Sequence, residues 1–249
     1  MSLLEHLEEL RGVLIHSGLA VILLAVGGWF VSERAVDLLI RPAGKLVFLG
    51  PAEAFTLRLK TALLIGLFAA LPFVLYKVWG FVAPGLFTRE RRVLTGLAFS
   101  STVLFFLGAL FGFFVLVPIA FAFLLGFGTE NLTPMISAGN YFGFVSKLVI
   151  AFGVVFQLPL VVSLLTWAGV VEPRGLLRSW RLAVVVIAVA SAALTPPDVA
   201  SQILMGVPVL ALYFLSVLLS AAIHRRRRRE DEEGEREEEK EKEKEGGTP

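Results

Sequence analysis

The stretch 93–129, VLTGLAFSSTVLFFLGALFGFFVLVPIAFAFLLGFGT, runs for 37 residues without one charged side chain. About 20 apolar residues in a helix cross the hydrocarbon core of a bilayer, so this run is a membrane span with residues to spare. Pro118 cannot continue a helix ladder, which predicts a third helix ending near it and a loop reaching to about Asn140. The rest of the chain agrees with a membrane reading. It is 56% hydrophobic and 18% charged, with a mean hydropathy of +0.79, more apolar surface than one soluble core hides.

Working outward, the other apolar runs fall at 13–31, at about 60–83 with Pro72 and Lys77 inside, at roughly 142–171 with Lys147, Gln157 and Pro159, and at 182–194 and 199–223. Polar segments separate them: 33–45, 84–92, 171–181 and the tight TPPD of 195–198. The reading is an all-α integral membrane protein of six transmembrane helices in a domain spanning 1–223. The fifth helix is short: the 15 residues of 180–194 span roughly 22 Å, less than the ~30 Å core. Six spans put both termini on one side. The three arginines of 84–92, the three of 171–181 and the run 225–229 make that side cytoplasmic by the positive-inside rule.

Residues 224–249 form a separate region. They hold nine of the 23 Lys+Arg and eleven of the 21 Asp+Glu, leaving 14 basic and 10 acidic residues for everything before them. Such a segment has nothing to bury and reads as a disordered, solvated tail, partly helical through Glu–Lys pairing. Its opening arginines suit anionic headgroups.

Polar groups at the membrane boundary need a reason. On the cytoplasmic side, Glu5, Glu8 and Glu9 precede the first span, and Glu90 lies among Arg89, Arg91 and Arg92. Two readings stand. Glu90 pairs locally with an arginine, worth under about 1 kcal/mol at an exposed site, and the first acids face water from an interfacial helix. Alternatively, the carboxylates receive a ligand with two guanidinium groups, whose planar forks match carboxylates in paired hydrogen bonds. Deeper, Gln157 suits an interhelical hydrogen bond, and Asp198 suits the N-cap of the sixth helix. The chain has no cysteine, no H-E-x-x-H, no G-x-S-x-G and no phosphate loop, so thiol, zinc-hydrolase and nucleotide chemistry have no sequence support. A small-solute transporter lined by Lys147, Gln157 and Asp198 is the rival class, although no inverted repeat is evident.

Five motifs occur in order: HLEELR (6–11), GPAEAF (50–55), VWGFVAPGLFTRERR (78–92), FGVVFQLP (152–159) and TPPDVASQ (195–202). Together they resemble the TatC family, the multi-span receptor of the twin-arginine protein translocase. The resemblance implies a concave, glove-like bundle in the inner (cytoplasmic) membrane that binds signal peptides bearing an Arg-Arg pair. It implies assembly with single-span TatA and, where present, TatB, within a larger complex holding several copies of the chain. Export of folded proteins would use the proton-motive force, with no metal, nucleotide or other cofactor, no nucleic acid and no catalysis. By the motifs, Glu9 and Glu90 match the carboxylates that receive the signal arginines, with Phe81, Pro84 and Arg11 in the same recognition region. Phe55 matches a motif position on the far side. Gln157, Thr195, Asp198 and Gln202 match polar positions that meet partner helices. Many relatives carry glutamate where this chain has Gln157, so this site cannot carry charge or a proton.

Overall fold

The apolar runs fold as helices because a backbone in hydrocarbon must satisfy its own N–H and C=O groups. The structure, a computed structural model, describes residues 3–44, 46–82, 91–126, 135–194 and 199–246. Nine α-helices occur among them: α1 (Leu3–Ile40), α2 (Glu53–Val82), α3 (Arg91–Phe111), α4 (Val117–Leu125), α5 (Ala138–Val155), α6 (Leu158–Trp167), α7 (Pro173–Arg178), α8 (Trp180–Leu194) and α9 (Val199–Gly246). No strand is formed by the described residues; one isolated parallel bridge joins Val47 to Ser137. Five helical stretches are long and apolar enough to cross a bilayer, and α8 is a shorter apolar helix. The expected bounds of α8, 180–194, coincide with those observed.

Two expectations about the first and third spans are corrected. The polar residues after the first apolar run do not form a loop: α1 continues through Glu33, Arg34 and Asp37 to Ile40, with those three side chains exposed. Pro118 does not end the third span. A π-helical segment, Gly112–Leu116, lies just before it and leads into α4. Proline clashes with the carbonyl four residues earlier, here Phe114, and the wider π turn absorbs that clash without breaking the rod. The same rule does break the next span. Pro159 disfavours a normal turn at Val155, where α5 ends, and Gln157 sits in the break before α6.

The chain divides into two compact units, Met1–Gln157 with Ala190–Met205, and Leu158–Val189 with Gly206–Pro249. In the first, α1 and α2 pair antiparallel along most of their length. Gly66 makes this possible: a Cβ there would lie 2.5 Å from the Ala25 nitrogen and 2.6 Å from the Val21 carbonyl oxygen. Gly108 does the same for α3 against α5, where a Cβ would collide with the Phe152 carbonyl oxygen. In the second unit the buried hydroxyls of Thr166 and Ser220 share a 2.6 Å hydrogen bond, and the Tyr213 hydroxyl donates to the Leu176 carbonyl at 2.7 Å. The segment 171–181, expected as a loop, holds the short helix α7 with Pro173 at its start, where a missing N–H leaves no gap in the ladder. The helix α9 continues past the last span to Gly246, through a segment rich in Glu and Lys spaced to support helix.

Candidate functional site

The antiparallel register of α1 and α2 brings the two ends of the pair into contact. At one end the His6 imidazole stacks on the Phe81 ring, with centroids 4.2 Å apart and planes 16° from parallel. Glu9 lies one helical turn beyond His6, and Phe81 lies one residue before the end of α2. Glu8, Glu9 and Arg11 are exposed, and among the described residues Glu8 and Glu9 meet no partner. The leucines between the acids are also uncovered, Leu4 at 76% and Leu7 at 60% exposure. Glu90 and Pro84 lie outside the described residues, as do Thr195 and Asp198.

The opposite end of the pair is bonded throughout. One Glu53 oxygen accepts from the Ser137 hydroxyl at 2.5 Å and the Gly139 amide at 2.7 Å, and the other accepts from the Leu49 amide at 2.5 Å. Ser137 is the N-cap of α5, so the carboxylate sits where free N–H groups and the helix dipole favour negative charge. The Val47 amide donates to the Ile136 carbonyl and the Ala138 amide donates to the Val47 carbonyl, each at 3.0 Å. Beside this clasp, Arg58 spans α1 and α2. It lies 3.4 Å from Glu33, donates to the Ser32 hydroxyl at 3.2 Å and covers the Trp29 ring at 5.1 Å. Phe55, a motif position, packs edge-on against Trp29 while remaining 61% exposed. The sequence reading passed over Glu53 within GPAEAF. An acid opening a helix was the available signal, but two of its three donors, Ser137 and Gly139, lie more than 80 residues away.

Gln157 occupies a third polar position. Its side-chain nitrogen donates to the Ser101 carbonyl at 3.0 Å and reaches the Gly153 carbonyl at 3.4 Å. Ser101 is fully buried, and its hydroxyl accepts from the Trp79 indole at 2.7 Å. A polar chain therefore runs from α2 through α3 to the break after α5. The Gln157 Oε1 is buried and finds no donor among the described residues. Gln202 is half-buried on α9 and engaged. No group of three or more His, Asp or Glu among the described residues is placed to hold a metal ion.

Five helical stretches long and apolar enough to cross a bilayer define a polytopic helical membrane protein. A family model described as Sec-independent protein translocase protein (TatC) matches residues 5–208. The chain is 38% identical over 225 residues to the Sec-independent protein translocase protein TatC of Carboxydothermus hydrogenoformans, covering 88% of this chain and 93% of that one. It is also 38% identical over 234 residues to the Aquifex aeolicus protein of the same name, covering 91% and 97%. Its fold matches a crystal structure of the twin arginine translocase receptor TatC at a TM-score of 0.80 and 36% identity, over 88% of this chain and 99% of that one. The chain belongs to the TatC family. It is a multi-pass membrane component of a Sec-independent protein translocase, a transport subunit and not a catalytic one.

Proposed function

We propose that this chain is the receptor that binds twin-arginine signal peptides at the His6–Phe81 end of the α1–α2 pair. Glu9 and Glu90 each take one signal guanidinium in a bidentate pair, and Phe81, Pro84 and Arg11 shape the surrounding surface. The observation that carries this reading is the His6–Phe81 stack. It holds Glu9, exposed and without a partner among the described residues, beside the end of α2, from which the chain leads on to 84–90. A planar fork recognises a carboxylate in a geometry lysine cannot copy, so the site selects Arg-Arg over Lys-Lys. This end and both termini face the cytoplasm of an inner membrane, as the arginine-rich loops require. Residues 1–223 form the membrane domain, and 224–249 form a solvated cytoplasmic tail whose basic start lies on anionic headgroups. The working complex includes TatA-like and, where present, TatB-like single-span proteins and further copies of this chain, exports folded cargo, and draws on the proton-motive force.

Titration of a twin-arginine peptide against the detergent-solubilised protein tests the site. Glu9→Gln and Glu90→Gln are expected to weaken binding by about tenfold or more, the worth of a charge-assisted pair, and a Lys-Lys peptide is expected to bind as weakly to wild type. Equal binding in either comparison overturns the assignment.

A second role is favoured by the unpartnered Gln157 Oε1. Gln157 is half-buried at membrane depth, and turning its side chain outward presents this acceptor to a donor on a single-span partner helix, while the short α8 locally thins the surrounding bilayer. Gln157→Leu is expected to lower crosslinking to the partner and transport together. Unchanged crosslinking and transport would remove this role.

A further inference from the structure

The last turn of α2 is gripped from two sides. Phe81 meets α1, where its ring stacks on His6 with centroids 4.2 Å apart. Trp79 stands two residues earlier, about 200° round the helix, and its indole N–H donates to the Ser101 hydroxyl of α3 at 2.7 Å. Both ends of that bond are closed to solvent: Trp79 is 6% exposed and Ser101 is fully buried. Ser101 is held in turn from beyond, since the Gln157 side-chain nitrogen donates to its carbonyl at 3.0 Å. A buried indole usually finds an acceptor, so the bond alone makes Trp79 a core residue. Its place in the chain says more. The helix α2 ends at Val82 and α3 begins at Arg91, so the segment that carries Glu90 in sequence leaves from one of the bonded helices and returns to the other. The His6–Phe81 stack sets Glu9 against the same turn of α2.

We propose that Trp79 is a specificity-determining residue of the signal-peptide site: tied to Ser101, it fixes the separation of the two acidic positions, so that the site accepts two adjacent arginines and rejects arginines spaced by one further residue. This inference rests on the receptor reading above. Trp79 touches no peptide and acts through the groups that do, as a positioning residue. One bidentate pair anchors the peptide at Glu9. The second guanidinium then meets its carboxylate only where the two anchors stand as far apart as neighbouring side chains reach. Rigid anchors leave a wrongly spaced second arginine unpaired, whereas loose anchors adapt to either spacing and discriminate less.

The test titrates the full chain in detergent with two peptides that differ only in carrying Arg-Arg or Arg-Ala-Arg. Wild type is expected to bind the Arg-Arg peptide about tenfold more tightly, the worth of one charge-assisted pair. Trp79→Phe keeps an aromatic ring in the buried place but has no N–H, and Ser101→Ala removes the acceptor. In each, the preference is expected to fall to about twofold, chiefly through lost Arg-Arg affinity, and substitutions on both sides of the bond guard against one variant that fails to fold. A smaller folded fraction weakens both peptides alike and leaves their ratio unchanged, so the ratio separates positioning from stability. Thr102→Ala, which removes a hydroxyl spent within α3 on the Ala98 carbonyl at 2.7 Å, is expected to keep the wild-type ratio. Glu9→Gln is measured alongside. If it binds the Arg-Arg peptide like wild type, the receptor reading fails and this inference with it. If it weakens binding while either folded brace variant retains the tenfold preference, the receptor reading stands and the role of Trp79 is overturned. A wild type that binds both peptides equally overturns that role as well.

Discussion

At the Glu53 end of the α1–α2 pair, both carboxylate oxygens are occupied by donors drawn from three places in the chain, Leu49, Ser137 and Gly139. At the His6 end, 28 residues further along α2 at Phe81, Glu8 and Glu9 stand exposed with no described partner, and the contact between helices is a ring stack. The same side-chain type does different work at the two ends. A saturated carboxylate in a fixed cradle fixes the fold, because every donor it loses is left without its acceptor. An unsaturated one beside a rigid contact keeps its hydrogen-bonding capacity for a ligand, and the ring stack fixes where it stands without using that capacity.

The largest effect is expected from breaking the saturated end. Glu53→Ala removes the acceptor for three donors and unlatches residues 46–53 from the start of α5. It is expected to lower the thermal unfolding temperature in detergent more than any other substitution named here. Glu53→Gln should fall between, since one amide oxygen still serves two of the donors. An unfolding temperature equal to wild type in Glu53→Ala would end the contrast. Next in size is Glu9→Gln, expected to leave the unfolding temperature within about 2 °C of wild type while weakening Arg-Arg peptide binding by about tenfold. Loss of stability in Glu9→Gln would show that the acid is already spent on the fold.

The sequence made the two ends unequally legible. Span positions followed from apolar length alone, and α8 was bounded correctly because TPPD stops it on one side. The end of α1 was misplaced because Glu33, Arg34 and Asp37 read as a loop, whereas a helix leaving the membrane carries such residues on its exposed face. Pro118 was read as a stop because its local clash is visible in sequence, while the π turn that absorbs it is not. Glu9 and Phe81 stood out through their motifs, and the structure adds the contact through His6. Glu53 stayed hidden because its meaning lies in pairings across the chain with Ser137 and Gly139, which no local pattern encodes. Gln157 was legible as polar at membrane depth, but its tether to Ser101 and the free Oε1 were not.

The smallest expected effect sharpens what saturation means. Arg58 has as many partners as Glu53, yet its contact with Glu33 joins side chains that are 40% and 75% exposed. Exposed pairs contribute about 0–1 kcal/mol, and the stack on Trp29 adds a similar amount. The contact that differs is with Ser32, which is fully buried and whose hydroxyl donates to the Trp29 carbonyl at 2.7 Å. Arg58→Lys keeps the charge facing Glu33 but loses the guanidinium Nε donor and the flat stack. It is expected to lower the unfolding temperature by no more than about 2–4 °C, the shift produced by about 1 kcal/mol in a chain of this size. Salt separates the causes: half-molar salt screens exposed charges, so Glu33→Gln should converge on wild type there, whereas the Arg58→Lys deficit, resting on Ser32, should persist. If the deficit instead disappears with salt, the arginine acts only through exposed charge. If it rivals that of Glu53→Ala, partner number rather than the fixed placement of the donors sets the strength of this end.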